Sequence, residues 1–338
     1  MIRRAVVVTT ALLAALLVTS VLVRMAGRSP GHIYLLLLSG TWGNAYGIGQ
    51  VLFKATPLLF TGLSVAFAQR AGLFNVGAEG QLTLGAFACA LCAAFLPAAS
   101  PAILVIPACL LSAAIGGALL GLVAGWLKAS RGVHEVISTI MLNFVVRAAM
   151  VGLGALFFTR ETVHTRSILP QAALPKLARF VPLLKGSAVN VSLFIGVALV
   201  PVAAWVLART RLGFRIRAVG AQPLVAASGG VRVGRVSVIA FAIAGAFAGL
   251  GGANFVLGYK GYYEDGFTGG VGFVGIVVAV LVGARPVTLV LAALLFGTLA
   301  QGALTVNAVC PKEIIDVLQA TLIIAAASSA RVRRSVAS

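Results

Sequence analysis

The chain has 338 residues, of which 60% are hydrophobic and only 10% charged, and its mean hydropathy is +1.08. Soluble domains carry about 25% charged residues, so these figures exclude a water-soluble fold and point to lipid as the solvent. The formal net charge of +19 does not indicate a nucleic-acid partner, because the basic residues sit in short breaks between apolar runs and form no stripe interleaved with aromatics.

In chain order the apolar runs predict an all-α, polytopic transmembrane bundle of about ten helices, each needing roughly 20 apolar residues to span. They cover 5–26, 46–68, 81–97, 102–127, 134–158, 189–208, 235–257, 268–284, 287–306 and 314–329. A transmembrane barrel would show short alternating segments instead. Residues 1–26 open with Arg3 and Arg4. Their apolar stretch exceeds the roughly 7–15 residues of a signal-peptide core and no clear small-x-small cleavage site follows, so a retained span is expected. Segments 31–45 and 69–80, rich in Gly, Asn and Thr, read as irregular. The run "GALLGLVAG" puts Gly117, Gly121 and Gly125 on one helix face, and "GAFAG" repeats the spacing with Gly245 and Gly249. Small residues at this interval let helix backbones approach closely in lipid.

The break 159–188, with Pro170, Pro175 and Pro182, is expected to be an extracytoplasmic loop. With the N-terminus inside and ten crossings, the arginines and lysines of the short breaks fall on the cytoplasmic side, which makes both termini cytoplasmic. The whole of 1–338 is then one membrane-embedded domain. Its sets 46–158 and 235–329 hold four spans each and enter the membrane from opposite sides, the pattern of an inverted repeat.

Enzyme-like patterns fail on context. "GVGFVG", Gly270 to Gly275, matches the dinucleotide fingerprint, but no strand precedes it and no acidic residue follows about 20 positions on, so close helix packing is the better reading. "GGVRVGR", Gly229 to Arg235, has Arg where a phosphate loop needs Lys and Val where it needs Ser or Thr. No ATP site, cofactor site or catalytic constellation is therefore expected in this chain. "CALC", with Cys89 and Cys92, lies inside a span with no second pair nearby and reads as small buried residues, like Cys109 and Cys310. His32, His134 and His164 show no metal-ligand spacing.

What remains is polar residues within or beside lipid. An ionisable group there costs on the order of 3 kcal/mol by insertion scales and normally faces a cavity or a partner. Lys54, Glu79, Glu135 and Arg147 are candidates, with Asn75, Gln81, Asn143 and Asn254 as neutral ones. Glu79 and Glu135 have a plainer reading as carboxylates at helix starts, favoured by the dipole. For Glu79 the setting "NVGAEGQ" favours a shaped break lining a passage, since only protein or a water-filled cavity tolerates non-helical backbone at membrane depth.

The segment Arg209 to Arg235 carries six arginines and no acid, yet also Leu212, Phe214, Ile216 and Leu224. A short helix over Pro223 to Ser228 between basic flanks would serve either the acidic lipid surface or a cytoplasmic partner.

These runs resemble the integral-membrane permeases of ABC importers, the branched-chain amino acid and ribose permease-like family, in the branch for nucleosides, sugars and related solutes. Four stretches carry the likeness, in order over most of 55–303: "ATPLLFTGLSVAFAQRAGLFNVGAEGQLTLGAF", "HEVISTIMLNFV", "RTRLGFRIRAVGAQPLVAASGG" and "GFVGIVVAVLVGARPVTLVLAALLFGTLAQGA". "GLFNVGAEGQ" and "EVISTIMLN" are most similar to the nucleoside branch, although Gln222 stands where relatives more often have Asn, and Val76 where Ile is common.

The resemblance implies a cytoplasmic coupling helix over 217–229 within segment 209–235. It would seat on a separate ATP-binding subunit that holds ATP and Mg and drives alternating access. It also implies a second permease, identical or homologous, and an extracytoplasmic substrate-binding protein, at the bacterial cytoplasmic (inner) membrane. The expected pathway residues are Asn75, Glu79, Gln81 and Asn143, and the expected docking residues are Arg217, Gly220, Pro223 and Gly229. The expected solute is a purine or other nucleoside. Riboflavin or a simple sugar is the alternative within that class, and an ion-coupled secondary transporter is the alternative outside it.

Overall fold

In lipid a chain can satisfy its backbone N–H and C=O groups only within helices or a closed barrel, and here helices make the architecture. A computed structural model describes residues 14, 16–283, 285–311 and 313–332. Thirteen α-helices follow one another among them. The first half holds α1 (Leu16–Met25), α2 (Pro30–Thr41), α3 (Ala45–Arg70), α4 (Ala78–Phe95), α5 (Ala102–Arg131) and α6 (Glu135–Phe157). The second holds α7 (Ser192–Arg209), α8 (Arg211–Ala221), α9 (Pro223–Ser228), α10 (Val233–Phe255), α11 (Val271–Leu281), α12 (Leu289–Val306) and α13 (Glu313–Val332). Seven are long and apolar enough to cross a membrane: α3 to α7, α10 with its π-helical extension to Lys260, and α12 with its lead-in from Pro286.

Three expectations are corrected. Residues 31–45 are not irregular but largely helical, as α2. Pro30 occupies its first turn, where a missing N–H breaks no helical bond, and Ile33 and Leu37 pack against Leu299, Ala303 and Val306 of α12. The span expected over 268–284 shortens to the 11 residues of α11, because Gly266, Gly269 and Gly270 have positive φ (74°, 55° and 83°) and hold the chain out of the helix until Val271. The single coupling helix expected over 217–229 is two helices, α8 and α9, broken at Gln222, whose extended backbone is what a following proline favours. The start of the expected N-terminal span, through residue 13, lies outside the described residues, as do Arg3, Arg4, Arg333 and Arg334.

Short connections alternate the helix directions. α3 runs toward the end of the bundle that carries Arg70, Arg217 and Arg232, here the basic end, and α4 returns from it. α5 comes back and α6 leaves again. In the second set α10 leaves the basic end, α11 returns to it, α12 leaves and α13 returns. The two four-helix sets therefore run in opposite senses, and each places a non-helical break before its second helix.

The sets meet most closely along α5 and α10, through the two glycine faces singled out above. A Cβ at Gly117 would stand 2.8 Å from Gly249 Cα, and one at Gly245 would stand 2.9 Å from Gly117 C. Gly125 faces Val238, so the helices are antiparallel. α3 lies at the centre, with Leu58 to Ala68 buried throughout.

Candidate translocation site

The break between α3 and α4 is held by side chains. Past Gly72 (φ +72°) the chain turns back along α3, and Asn75, wholly buried, ties it down. Asn75 Nδ2 donates to Ser64 Oγ at 2.9 Å and to Gln81 Oε1 at 2.8 Å. Its Oδ1 accepts from Gly77 N at 3.1 Å and from Gln81 Nε2 at 3.2 Å. From the other side Asn143 of α6 donates to Val76 O at 3.0 Å and accepts from Gly80 N at 2.9 Å. Backbone groups that would be orphaned in lipid thus find partners. Ser64 lies six residues before Arg70, about 9 Å along α3, so α4 starts inside the bundle and not at its surface.

The start of α11 meets the start of α4 there. Glu79, in the first turn of α4, reaches across: one carboxylate oxygen accepts from the Thr268 hydroxyl and Oε2 accepts from Gly272 N at 2.6 Å. Only glycine permits this approach, since a Cβ at 272 would fall 2.7 Å from Glu79 Oε2. One carboxylate thereby serves the positive ends of two helices that run in opposite directions.

Beside this junction lies a cavity of about 340 Å³, within the roughly 300–1,000 Å³ of small-molecule sites. Its walls are Glu79, Gly80 and Thr83 of α4, Ile140, Asn143, Phe144 and Arg147 of α6, and Tyr263, the segment Asp265 to Gly270 and Phe273. Of the four expected pathway residues, Glu79 and Asn143 line it. Asn75 and Gln81 stand behind it, bonded to each other.

Glu135 does not reach the cavity and pairs with Lys128 at 2.6 Å where α5 ends and α6 begins. Lys54 and Asn254 also lie away from it. Asn254 Oδ1 accepts from Asn190 Nδ2 and Ser192 Oγ at the opposite end of the bundle. Asp265, Tyr263, Phe267 and Thr268 went unmarked in the sequence. Their signal is the run "YYEDGFTGG", Tyr262 to Gly270, a glycine-rich polar break before a short helix, like the one before α4.

The four expected docking residues lie at the basic end. Thr210 caps α8, accepting from Gly213 N at 3.0 Å, and Ile216 and Val219 are buried under it. Gly220 packs directly on the α3–α4 turn, where a Cβ would stand 2.9 Å from Arg70 C and from Gly72 N. Pro223 opens α9, which leaves two apolar side chains outside, Leu224 at 78% and Val225 at 67% exposed. Arg217 borders a shallow groove with Arg70 and Pro286. Gly229 has no such constraint, for a Cβ there would meet nothing nearer than 3.5 Å.

Comparison with known proteins agrees with this architecture. The chain is similar to the guanosine ABC transporter permease protein NupP of Bacillus subtilis, 35% identical over 96% of this chain and 93% of the relative. It is 32% identical to the glucose ABC transporter permease protein TsgB13 of Haloferax volcanii, over 92% and 84% of the two chains. It is 31% identical to the nucleoside ABC transporter permease protein NupB of Lactococcus lactis, over 95% and 90%. The family model for the permease component of branched-chain amino acid transport systems matches residues 47–327, and the chain belongs to this family of multi-pass membrane permeases.

Proposed function

We propose that this permease imports a nucleoside, with ATP and Mg held by a separate cytoplasmic subunit. The observation that carries the reading is the cavity at the α4–α11 junction, in a chain 35% identical to a guanosine permease over nearly its whole length. In this reading the basic end faces the cytoplasm, in keeping with the positive-inside rule, and both termini lie there, in the bacterial inner membrane. A binding protein delivers solute at the opposite end, and a second permease, identical or homologous, completes the pair.

In this reading the mechanical parts fall to particular residues. Leu224 and Val225 of α9 offer an apolar contact to the ATPase. α8 carries the movement to Gly220, which bears on Arg70 and Gly72. Three positions past Gly72 the chain reaches Asn75 of the Asn75–Gln81 clamp, and Glu79 passes the displacement to α11. Asn75 and Gln81 shape the pathway by holding the break, while Glu79 and Asn143 border it. Arg217 and Pro223 position the docking helices, and Gly229 ends the segment.

A glucose permease among the relatives favours a second reading, a sugar as solute. Uptake of radiolabelled guanosine and glucose by proteoliposomes holding the full complex, with and without internal ATP, separates the two. ATP-dependent guanosine uptake is expected. Sugar uptake alone would replace the solute, and uptake persisting without ATP under an ion gradient would replace the importer reading by a secondary transporter.

A further inference from the structure

Among the described residues, two charged side chains in the cavity wall have no hydrogen-bond or ion-pair partner. Arg147 sits on α6 twelve residues past Glu135 and ten short of Phe157, so about 18 Å and 15 Å from the two ends. That is deep inside a span, too far from either end for the side chain to reach headgroups. Among the described residues it makes no hydrogen bond and no ion pair. Asp265 lies in the segment that descends to α11, and its carboxylate likewise accepts no hydrogen bond among the described residues. The two line one cavity but stand beyond ion-pairing reach of each other. An arginine at such depth normally faces a partner or a polar passage.

Its place on the helix says which. Ile140, Asn143, Phe144 and Arg147 follow the i, i+3, i+4, i+7 pattern of a single face, and all four line the cavity. Asn143 on that face is already bonded to the start of α4. Glu79, Asn143, Thr83 and Thr268, other polar groups in the wall, each bond within the chain. The polar side chains left to meet a solute are therefore Arg147, Asp265 and Tyr263, whose buried hydroxyl has no partner among the described residues, together with the rings of Phe144, Phe267 and Phe273.

We propose that Arg147 and Asp265 are the specificity-determining residues of this cavity. The guanidinium donates to ring acceptors and the carboxylate accepts from ring or ribose donors of an uncharged, unphosphorylated nucleoside. The proposal rests on the nucleoside reading for the ring system. A purine such as guanine offers two adjacent acceptors that an arginine fork meets together, and the three phenylalanines supply faces for stacking. With one basic and two acidic side chains in the wall, a nucleoside monophosphate would bring a further charge of about −1.5 to −2 and be excluded.

The test uses the complete transporter with its ATPase, in proteoliposomes, and the variants Arg147→Met, Arg147→Lys and Asp265→Asn. Guanosine KM should rise roughly tenfold or more in Arg147→Met and Asp265→Asn, as expected for loss of a charged hydrogen bond. Arg147→Lys should recover part of that, with unchanged yield of assembled complex, and guanosine monophosphate should not compete with guanosine in the wild type. Wild-type KM in both charge-removing variants would overturn the assignment. So would lost assembly with an unchanged KM, which would put Arg147 at a subunit contact, or effective competition by the monophosphate. A wild type that carries a sugar and no nucleoside would overturn the solute reading instead, and the same variants assayed on that sugar would still decide the role of the two residues.

Discussion

Glu79 joins the starts of two opposed helices, and its substitution can be worked out bond by bond. Its carboxylate accepts from the Thr268 hydroxyl and from Gly272 N, and hydrogen bonds to a charged group are worth about 1.5–3 kcal/mol each. Glu79→Ala removes both acceptors. Water from the cavity can replace part of the loss, so a net penalty of about 2–4 kcal/mol is expected. Glu79→Gln behaves differently. The amide oxygen can still accept from Gly272 N, and the Thr268 hydroxyl can turn to accept from the amide NH2. Two neutral bonds then replace two charged ones, at about 1 kcal/mol each. Guanosine uptake per assembled complex, and Tm in detergent, should therefore fall in the order wild type, Glu79→Gln, Glu79→Ala. Thr268→Val should be non-additive with Glu79→Gln, as residues sharing a bond are. If Glu79→Gln proved as damaging as Glu79→Ala, the carboxylate would be acting through its charge and not as a bridge, and the reasoning would fail.

Two further outcomes follow from close packing. In Gly220→Ala the new methyl group would stand 2.9 Å from Gly72 N, tighter than the 3.4–4 Å of ordinary contact. The resulting displacement of α8 from the α3–α4 turn should abolish uptake while the complex still hydrolyses ATP. Normal uptake would remove Gly220 from the coupling route. Gly117→Leu or Gly245→Leu would force α5 and α10 apart, and overpacking of this kind costs about 1–3 kcal/mol or more. Either should lower Tm in detergent by several degrees or cut the folded yield, and an unchanged Tm would show that the two helices do not meet through these glycines.

The sequence carried the spans and the partners of the glycine faces unequally. Apolar runs and basic breaks locate α3 to α7, α10 and α12, because hydropathy responds to composition over a length that lipid dictates. α2 was hidden by Pro30, Gly31, Gly40 and Gly43, which mark loops in water but here lie within or just past a helix held by α12. α11 looked longer than it is because the glycine turns on either side of it, at Gly269 and Gly270 and at Gly283, read as continuous with the apolar run 271–282. In the site, residue type alone singled out Glu79, Asn143 and Arg147. It could not tell that Asn75 and Gln81 bond each other, or that Glu79's partner Thr268 lies 189 positions away. Asp265 escaped notice because an acid in a presumed loop is unremarkable until that loop is seen to fold back beside α4.

The stiffness of the molecule is unevenly placed, and that bears on how import is driven. α5 and α10 bring backbone against backbone across the two four-helix sets, so the sets have little freedom to part along that seam. The α4–α11 junction is held otherwise, by a single carboxylate bridging two helix starts, with a cavity on one side. Each of these starts follows a break in the backbone, and a break bends at less cost than a continuous helix. In the import cycle proposed above, α8 pushes on Gly72 at one end of the first break. The 71–77 segment then transmits the push to a junction whose rigid neighbours do not yield. Displacement is therefore concentrated at Glu79 and at the cavity wall that bears Arg147 and Asp265, which is where a solute has to be gripped on one side of the membrane and released on the other.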